Sequence, residues 1–161
     1  MADEFTVKGL SELQRLLDEL PAKMERNVLR GAMRAGSKPV LADAKNNVSV
    51  KSGTLRDGLK IKTSARGGTV KGKVVATGDH AYVAPWVEFG TNPHIIPGPL
   101  KLVSGWIKDA EHPGARAKPF MRPALDRQKT RAVVAAGEYI KQGLQNKHGL
   151  DLSHLEIEGD E

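Results

Sequence analysis

The sequence has no cysteine, few aromatic residues and no long apolar run. Without cysteine, the 161-residue chain can form no disulfide, no thiolate metal site and no cysteine nucleophile, which fits assembly in a reducing cytosol. Aromatic residues make up 4% of the chain, so the core must be built mainly from Leu, Val, Ile and Ala. No segment approaches the roughly 18 apolar residues of a membrane span, and no apolar run follows a basic start. We therefore expect a soluble protein with no membrane association and no export signal.

Catalytic and metal-binding motifs are also scarce. The five histidines have no paired spacing such as H-E-x-x-H; these histidines are His80, His94, His112, His148 and His154. No serine lies in a G-x-S-x-G context. Asp109, Glu111 and His112 are close in sequence, but a Gly/Pro-rich segment favours solvated side chains. A nuclease site built on Asp79, Glu88 and a lysine would suit a basic protein, although scattered acids and lysines occur in almost every chain. We expect no enzyme activity, no cofactor and no metal.

The charge is unevenly distributed. Residues 151–161 contain five acidic residues and no Lys or Arg, which leaves 14 of the 19 acidic residues against 25 basic ones in the body. The body therefore carries about +11, although the whole chain carries +6. A basic body with an acidic tail indicates either a polyanionic neighbour, an acidic partner surface or simply a soluble surface.

Three helices are predicted from apolar spacing. The first begins at Ser11, where Gln14 completes a capping box, and ends before Pro21. The second runs from about Ala22 to Asn46, and because Pro39 lies inside its pattern, a kink or a break is expected near residues 36–38. It carries a basic stripe of residues spaced by four: Arg26, Arg30, Arg34 and Lys38. The last helix spans about residues 122–144.

A period-two pattern over residues 55–77 predicts a β-hairpin with one apolar and one basic face. The apolar face contains Leu55, Leu59, Ile61, Val70 and Val74, and the basic face contains Arg56, Lys60, Lys62, Lys71 and Lys73. A Gly-containing turn at 64–68 separates the two strands. A short strand is also predicted at Phe5–Val7.

The remaining segments complete the predicted domain. Residues 79–89 are predicted as a short helix, with Asp79 as its cap and Gly90 as its end. Residues 91–118 are rich in Pro and Gly and are predicted as a long loop. We expect one α+β domain over residues 1–147, in which a small antiparallel sheet is packed by a long N-terminal helix pair and a C-terminal helix. Residues 148–161 are predicted to be an acidic, loosely ordered tail.

Four motifs resemble a family of small tail-component proteins of long-tailed phages. The first two are Gly9-Leu10 with Glu12-Leu13 ahead of a long basic helix, and the segment 52–56, which is similar to that family's "TG.L+.S" element. The others are the "Y…VEFGT" segment at 82–91 and the "PFMRPAL" segment at 119–125. The resemblance extends over about residues 5–139. It implies a homo-oligomeric ring, a hexamer or a multiple of it, at the head–tail junction or the tail end, in contact with other neck or tail proteins. It also implies a place in the virion, after assembly in the host cytoplasm.

The motifs suggest a subunit interface. Gly90 permits a helix stop, and Val87 and Phe89 are expected to anchor that turn to the core, leaving Glu88 free. Glu88 is then expected to form a salt bridge, either with an arginine of a neighbouring subunit or within the domain, and the candidate arginines are Arg122, Arg26 and Arg30. Phe120 is expected to be either a staple within the domain or an apolar knob between subunits. The predicted interface residues are Glu88, Phe89, Thr91, Trp106, Phe120 and Arg122.

Two further hypotheses concern neighbours of the chain. The 92–117 segment is expected to contact an adjacent subunit, with Trp86 or Trp106 as an anchor. The basic hairpin residues Arg56, Lys60, Lys62, Lys71 and Lys73 are expected to face passing DNA in the lumen of the ring. The leading hypothesis is thus a structural ring component, and the alternatives are a double-stranded-DNA-binding module that works as a monomer or dimer, or a small hydrolase or nuclease.

Overall fold

The computed structural model describes residues 7–49 and 51–159. The helices are α1 (Leu10–Asp18), α2 (Ala22–Asn47), α3 (Thr54–Gly58), α4 (Val83–Phe89) and α5 (Met121–His148). The strands are β1 (Leu59–Arg66), β2 (Thr69–Ala76), β3 (His94–Leu102) and β4 (Gly105–His112). β1 pairs with β2, and β3 with β4, as two separate antiparallel two-stranded sheets. This arrangement confirms the predicted α+β class.

The long helices α2 and α5 pack side by side and form the centre of the molecule. Positions later in α2 approach positions earlier in α5, so the two helices are antiparallel: Gly31 lies against Tyr139, and Gly36 against Ala132. Near the far end of the pair, Arg127 forms a salt bridge with Asp43 (Nη2–Oδ2 2.9 Å). α2 is an unbroken helix through Pro39, so the predicted break does not occur. Two residues before Pro39, the Ser37 hydroxyl donates a hydrogen bond to the carbonyl of Met33 (2.7 Å).

Two hydrophobic clusters lie along this helix pair. The first joins α1, the first half of α2, the end of α5 and the C-terminal segment; its buried residues include Leu13, Val28, Leu144, Leu155 and Ile157. The second joins the end of α2, β1 and the start of α5; it consists of Val40, Ala44, Val48, Leu59, Phe120 and Ala124. The second cluster places the start of α5 beside the β1–β2 hairpin.

The β1–β2 hairpin follows the prediction, with a shorter first strand. Its register runs from Leu59 opposite Ala76 to Arg66 opposite Thr69. Gly67 and Gly68 both have positive φ, as a tight two-residue hairpin turn requires. Residues 54–58, predicted in part as strand, form the helical turn α3 instead. The apolar side of the hairpin rests on α2, where Gly72 lies directly over Met33 and Ser37.

Residues 94–112, predicted as part of a long loop, form a second β-hairpin, which we call the arm. Pairing runs from His94 opposite His112 to Leu102 opposite Gly105, with an irregularity between Pro97 and Leu100. The prolines interrupt the period-two pattern and mark this irregularity, so the sequence resembles a loop although both strands are continuous.

The C-terminal segment, predicted as loosely ordered, packs against the helices over residues 150–159. Leu152, Leu155 and Ile157 are buried in the first hydrophobic cluster. The Lys141 ammonium group donates a hydrogen bond to the carbonyl of Leu155. Gly159 forms an isolated antiparallel bridge with Val7, while the other two residues of the predicted Phe5–Val7 strand lie outside the described residues. Apolar side chains at spacings of two and three residues thus secure a segment whose overall composition is acidic.

Across the described ranges, no helix combines the length and the apolar character needed to cross a bilayer.

Candidate functional site

Glu88 lies in the last turn of α4 and caps the N-terminus of α5. Its Oε2 accepts hydrogen bonds from the backbone N–H groups of Phe120 (2.7 Å) and Met121 (2.9 Å), and its Oε1 accepts one from Arg122 (3.0 Å). The first N–H groups of a helix have no partner within the helix, and no side chain next to α5 caps it. The side chain of Glu88 therefore accepts hydrogen bonds from three such N–H groups, although Glu88 precedes Phe120 by 32 residues.

The electrostatic environment keeps this carboxylate ionised. Burial alone would raise the pKa of Glu88, but hydrogen bonds from the backbone N–H groups of Met121, Phe120 and Arg122 outweigh it. The Arg122 guanidinium adds a smaller contribution, and together these groups hold the pKa below its ordinary value. A negative charge also interacts favourably with the positive end of a helix dipole. Glu88 is thus the ionised link between α4 and α5.

Two side chains of the Val87-Glu88-Phe89 segment, Glu88 and Phe89, point opposite to the prediction. Glu88 is 8% exposed, whereas Phe89, predicted as an anchor to the core, is 68% exposed. Val87 is partly buried against the second hydrophobic cluster, as predicted. Gly90 ends α4 with a φ of 74°, also as predicted, whereas Asp79 precedes the helix and does not cap it. The prediction that Glu88 is left free is therefore wrong, because α5 of the same chain occupies both of its oxygens.

The other predicted interface residues divide between core and surface. Phe120 is completely buried within the chain, so it packs inside the domain and is not available as an intersubunit knob. Thr91 is half-buried and forms an isolated bridge with Ala115, which brings the two ends of the 92–114 excursion together. Arg122 and Trp106 are exposed.

The arm carries apolar side chains on both of its faces. Trp106 is 68% exposed and Ile95 65% exposed, and Val103 at the turn is fully exposed. Ile96 pairs with Ala110 and Leu100 with Ile107, and these two pairs lie on opposite faces, because Ala110 and Ile107 are three residues apart on β4. Within the described part of the chain, β3 and β4 pack essentially against each other and not against the body. Nine residues of strand extend about 30 Å, so the arm reaches well beyond the body.

An apolar groove runs between α2, β2, α4 and the first half of α5, with a volume of about 920 Å³. The apolar lining residues that are exposed are Pro85, Phe89 and Leu125, and we take them to mark its mouth. The charged residues along its described lining are Lys73, Glu88 and Arg122, and Glu88 is occupied by α5. The sequence did not predict this groove, because its lining residues come from six separate elements and individually look like core positions.

The basic side of the β1–β2 hairpin is exposed as predicted. Lys62 lies directly opposite Lys73, and Lys60 and Lys71 lie on the same face. All four are exposed, and we call them the basic face. Arg56 lies on α3, outside the sheet, and pairs loosely with Asp57 (3.4 Å). The basic face is therefore built from the four lysines, and the prediction that Arg56 belongs to it is wrong.

A second recess of about 900 Å³ lies beside the base of the arm. Its described lining contains Lys51, Arg56, Arg116 and Lys118, together with Trp86, but no carboxylate. His94 and His112 stack at its edge, with ring centroids 4.9 Å apart. Among the described residues, no three His, Cys, Asp or Glu side chains are placed to hold a metal ion.

Comparison with known proteins places this fold in a family. Residues 11–90, which span α1 to α4, match the HK97-gp10_like family model, described as "Bacteriophage HK97-gp10, putative tail-component". No curated protein and no solved structure matches the chain. The match confirms the resemblance to phage tail-component proteins that the sequence motifs suggested. The chain therefore belongs to the HK97-gp10-like family of bacteriophage tail components.

Proposed function

We propose that this protein is a structural virion protein that forms a homo-oligomeric ring at the neck or tail end of a tailed phage and joins or completes head and tail. The single observation that carries the proposal is the arm, which exposes Trp106, Ile95 and Val103 without a covering partner among the described residues. An isolated two-stranded hairpin is at best marginally stable in water. Exposed apolar patches of this kind are typical of protein–protein contact sites.

Family membership supports the setting of this proposal. A tail component belongs in the virion and contacts other tail or neck proteins. In the proposed ring, identical subunits meet head to tail, and each presents two different surfaces to its neighbours. Of the predicted interface residues, Phe89, Thr91, Trp106 and Arg122 remain candidates, because Glu88 and Phe120 have their roles inside the chain.

Contact with passing DNA is a second candidate, favoured by the basic face. Lys60, Lys62, Lys71 and Lys73 are exposed together and could contact phosphates without reading sequence. In the ring such contacts would be weak and would line the lumen. In the alternative function, a double-stranded-DNA-binding module, the same face would bind DNA tightly as a monomer or dimer.

Light scattering of the purified protein at several concentrations, at low and physiological salt, separates the two functions. The ring predicts the mass of a hexamer or a multiple of it. A chain that stays monomeric and binds duplex DNA tightly, with affinity that falls steeply as salt rises, would contradict the ring and favour the DNA-binding module.

A further inference from the structure

The arm and the apolar groove are two different apolar surfaces that one chain exposes at once. The arm presents Val103 and Trp106 near its turn. The groove presents Phe89 and Leu125, which are 68% and 55% exposed, at its mouth. Exposed apolar area on this scale is unfavourable in water, at about 25 cal/mol per Å². Each surface therefore needs a cover.

The arm does not reach the groove of its own chain. Its base is fixed beside the groove, because Thr91, where the excursion begins, is two residues from Phe89. From that base the paired strands run outward for about 30 Å. To enter its own groove, the turn at Val103 would have to fold back over the full length of a hydrogen-bonded hairpin. Within the described residues, the arm is therefore not the occupant of its own groove.

A second copy of the same chain supplies an occupant of suitable chemistry. Near its turn the arm carries apolar side chains on both faces, Leu100 and Ile107 on one and Trp106 on the other, so burial in a groove covers it more completely than contact with a flat surface. The groove is lined by residues of α2, β2, α4 and α5. Because the arm and the groove are different surfaces, the contact is heterologous and repeats from subunit to subunit.

We propose that the turn region of the arm, residues 100–107, docks into the apolar groove of the neighbouring subunit. Trp106 and Val103 enter the groove and contact Leu125 and Phe89 of the next copy. This assignment rests on the proposed ring, and it specifies which surface receives the arm.

Cysteine cross-linking tests the contact directly, since the chain has no cysteine of its own. In the double variant Val103→Cys with Leu125→Cys, mild oxidation should link successive subunits. The expected result is a covalent ladder on a non-reducing gel that rises to the size of the ring. A matched double variant, Val103→Cys with Ser64→Cys, places the second thiol on the exposed side of the β1–β2 hairpin, away from the groove, and should give no ladder.

The cross-linking outcomes separate the docking proposal from the ring itself. A ring mass in solution without a Val103–Leu125 ladder would overturn the docking assignment and leave the ring standing. A chain that neither self-associates nor cross-links would overturn both. A ladder with Ser64 equal to the ladder with Leu125 would show unspecific collision and overturn the assignment.

The two tryptophans provide an independent, matched pair of variants. Trp106 lies on the arm, whereas Trp86 lies in the body, in the lining of the second recess beside the base of the arm. Both side chains are more than half exposed. Trp106→Ala should weaken self-association by about 30-fold, as expected for a central aromatic anchor. Trp86→Ala should leave it nearly unchanged. Equal effects of the two substitutions, or no effect of Trp106→Ala, would contradict the docking assignment.

Discussion

Glu88 caps the N-terminus of α5 from a distant part of the chain, whereas most helices are capped by a side chain beside their own first turn. Typical capping residues are Ser, Thr, Asp or Asn immediately before the helix. In α5 that position is Phe120, which is completely buried in the second hydrophobic cluster. An apolar residue is required there for packing, so the cap must come from elsewhere. The carboxylate of Glu88 supplies this cap, because its two oxygens accept charge-assisted hydrogen bonds from three backbone N–H groups at the start of α5.

Replacing Glu88 with glutamine should destabilise the fold by about 3 kcal/mol at pH 7. The amide has one acceptor oxygen, so backbone N–H groups at the start of α5 lose their partner, and the favourable charge at the helix terminus is lost. Urea unfolding followed by circular dichroism measures the difference. The exposed Glu156→Gln provides a matched control and should change the free energy of unfolding by less than about 0.5 kcal/mol.

The pH dependence of this loss has a definite sign. The folded-state pKa of Glu88 is below its ordinary value of 4.5. Its contribution is therefore complete above that value and is lost as the pH falls through the lower, folded-state pKa. The difference between the native chain and Glu88→Gln should be constant from pH 8 to 5 and shrink in more acidic solution. A difference that persists undiminished in acid would show that the carboxylate charge does not matter.

This residue also shows where local sequence reasoning ends. Alternation in Val87-Glu88-Phe89 assigned the apolar neighbours to the core and the carboxylate to the surface, which was right for Val87 and wrong for Phe89. The deciding partner, the first turn of α5, is 32 residues away and offers backbone groups, which leave no signature in side-chain patterns. The motif resemblance identified both segments, although it did not show that they contact each other.

At the scale of elements, glycines set the distance between α2 and α5. A Cβ on Gly36 would lie 2.6 Å from the carbonyl oxygen of Ala132, which belongs to the backbone and cannot rotate away. On Gly143 a Cβ would be 3.7 Å from a methyl group of Val28, an ordinary packing distance. The two glycines are both inside long helices, so the same substitution should have opposite effects at the two sites.

Gly36→Ala should destabilise the protein by about 1–3 kcal/mol, because the helices are forced apart. Gly143→Ala should stabilise it by about 0.5–1 kcal/mol, because alanine favours the helix and meets no clash. Thermal or urea unfolding of the two variants beside the native chain measures both. Stabilisation by both substitutions would mean that the helices separate without cost at Gly36.

Some elements could be predicted from the sequence and others could not. The β1–β2 hairpin was predicted because its faces alternate cleanly and Gly67-Gly68 marks the turn. In the arm, Pro97 and Pro99 break the alternation, and the packing that usually enforces a pattern is absent from the chain itself. The C-terminal segment was misread for a different reason: its acids dominate the composition, whereas Leu152, Leu155 and Ile157 determine the packing.

At the scale of the whole molecule, the arm is an excursion from a body that is complete without it. Thr91 and Ala115 pair with each other through two backbone hydrogen bonds (2.9 and 3.0 Å), and Lys118 donates one to the carbonyl of Val87 (2.8 Å). Both hydrophobic clusters lie outside the arm. The body and the arm therefore have separate sources of stability.

Replacing residues 96–110 with Asn-Gly should remove self-association and leave the body folded. The two residues form a tight turn that joins Ile95 to its register partner Glu111. Circular dichroism should show an unchanged thermal midpoint of the body, within a few degrees, and light scattering should give the monomer mass. A shortened chain that still forms the full ring would exclude the arm as the contact between subunits.

The alternation of side chains along the arm has a consequence for how such a chain changes over generations. Inserting two residues into each strand preserves which side chains lie on which face and lengthens the hairpin by about 7 Å. The family match ends at residue 90, just before the excursion begins. The length of the arm can thus change by mutation in steps of two residues per strand, while the packing inside the body stays the same.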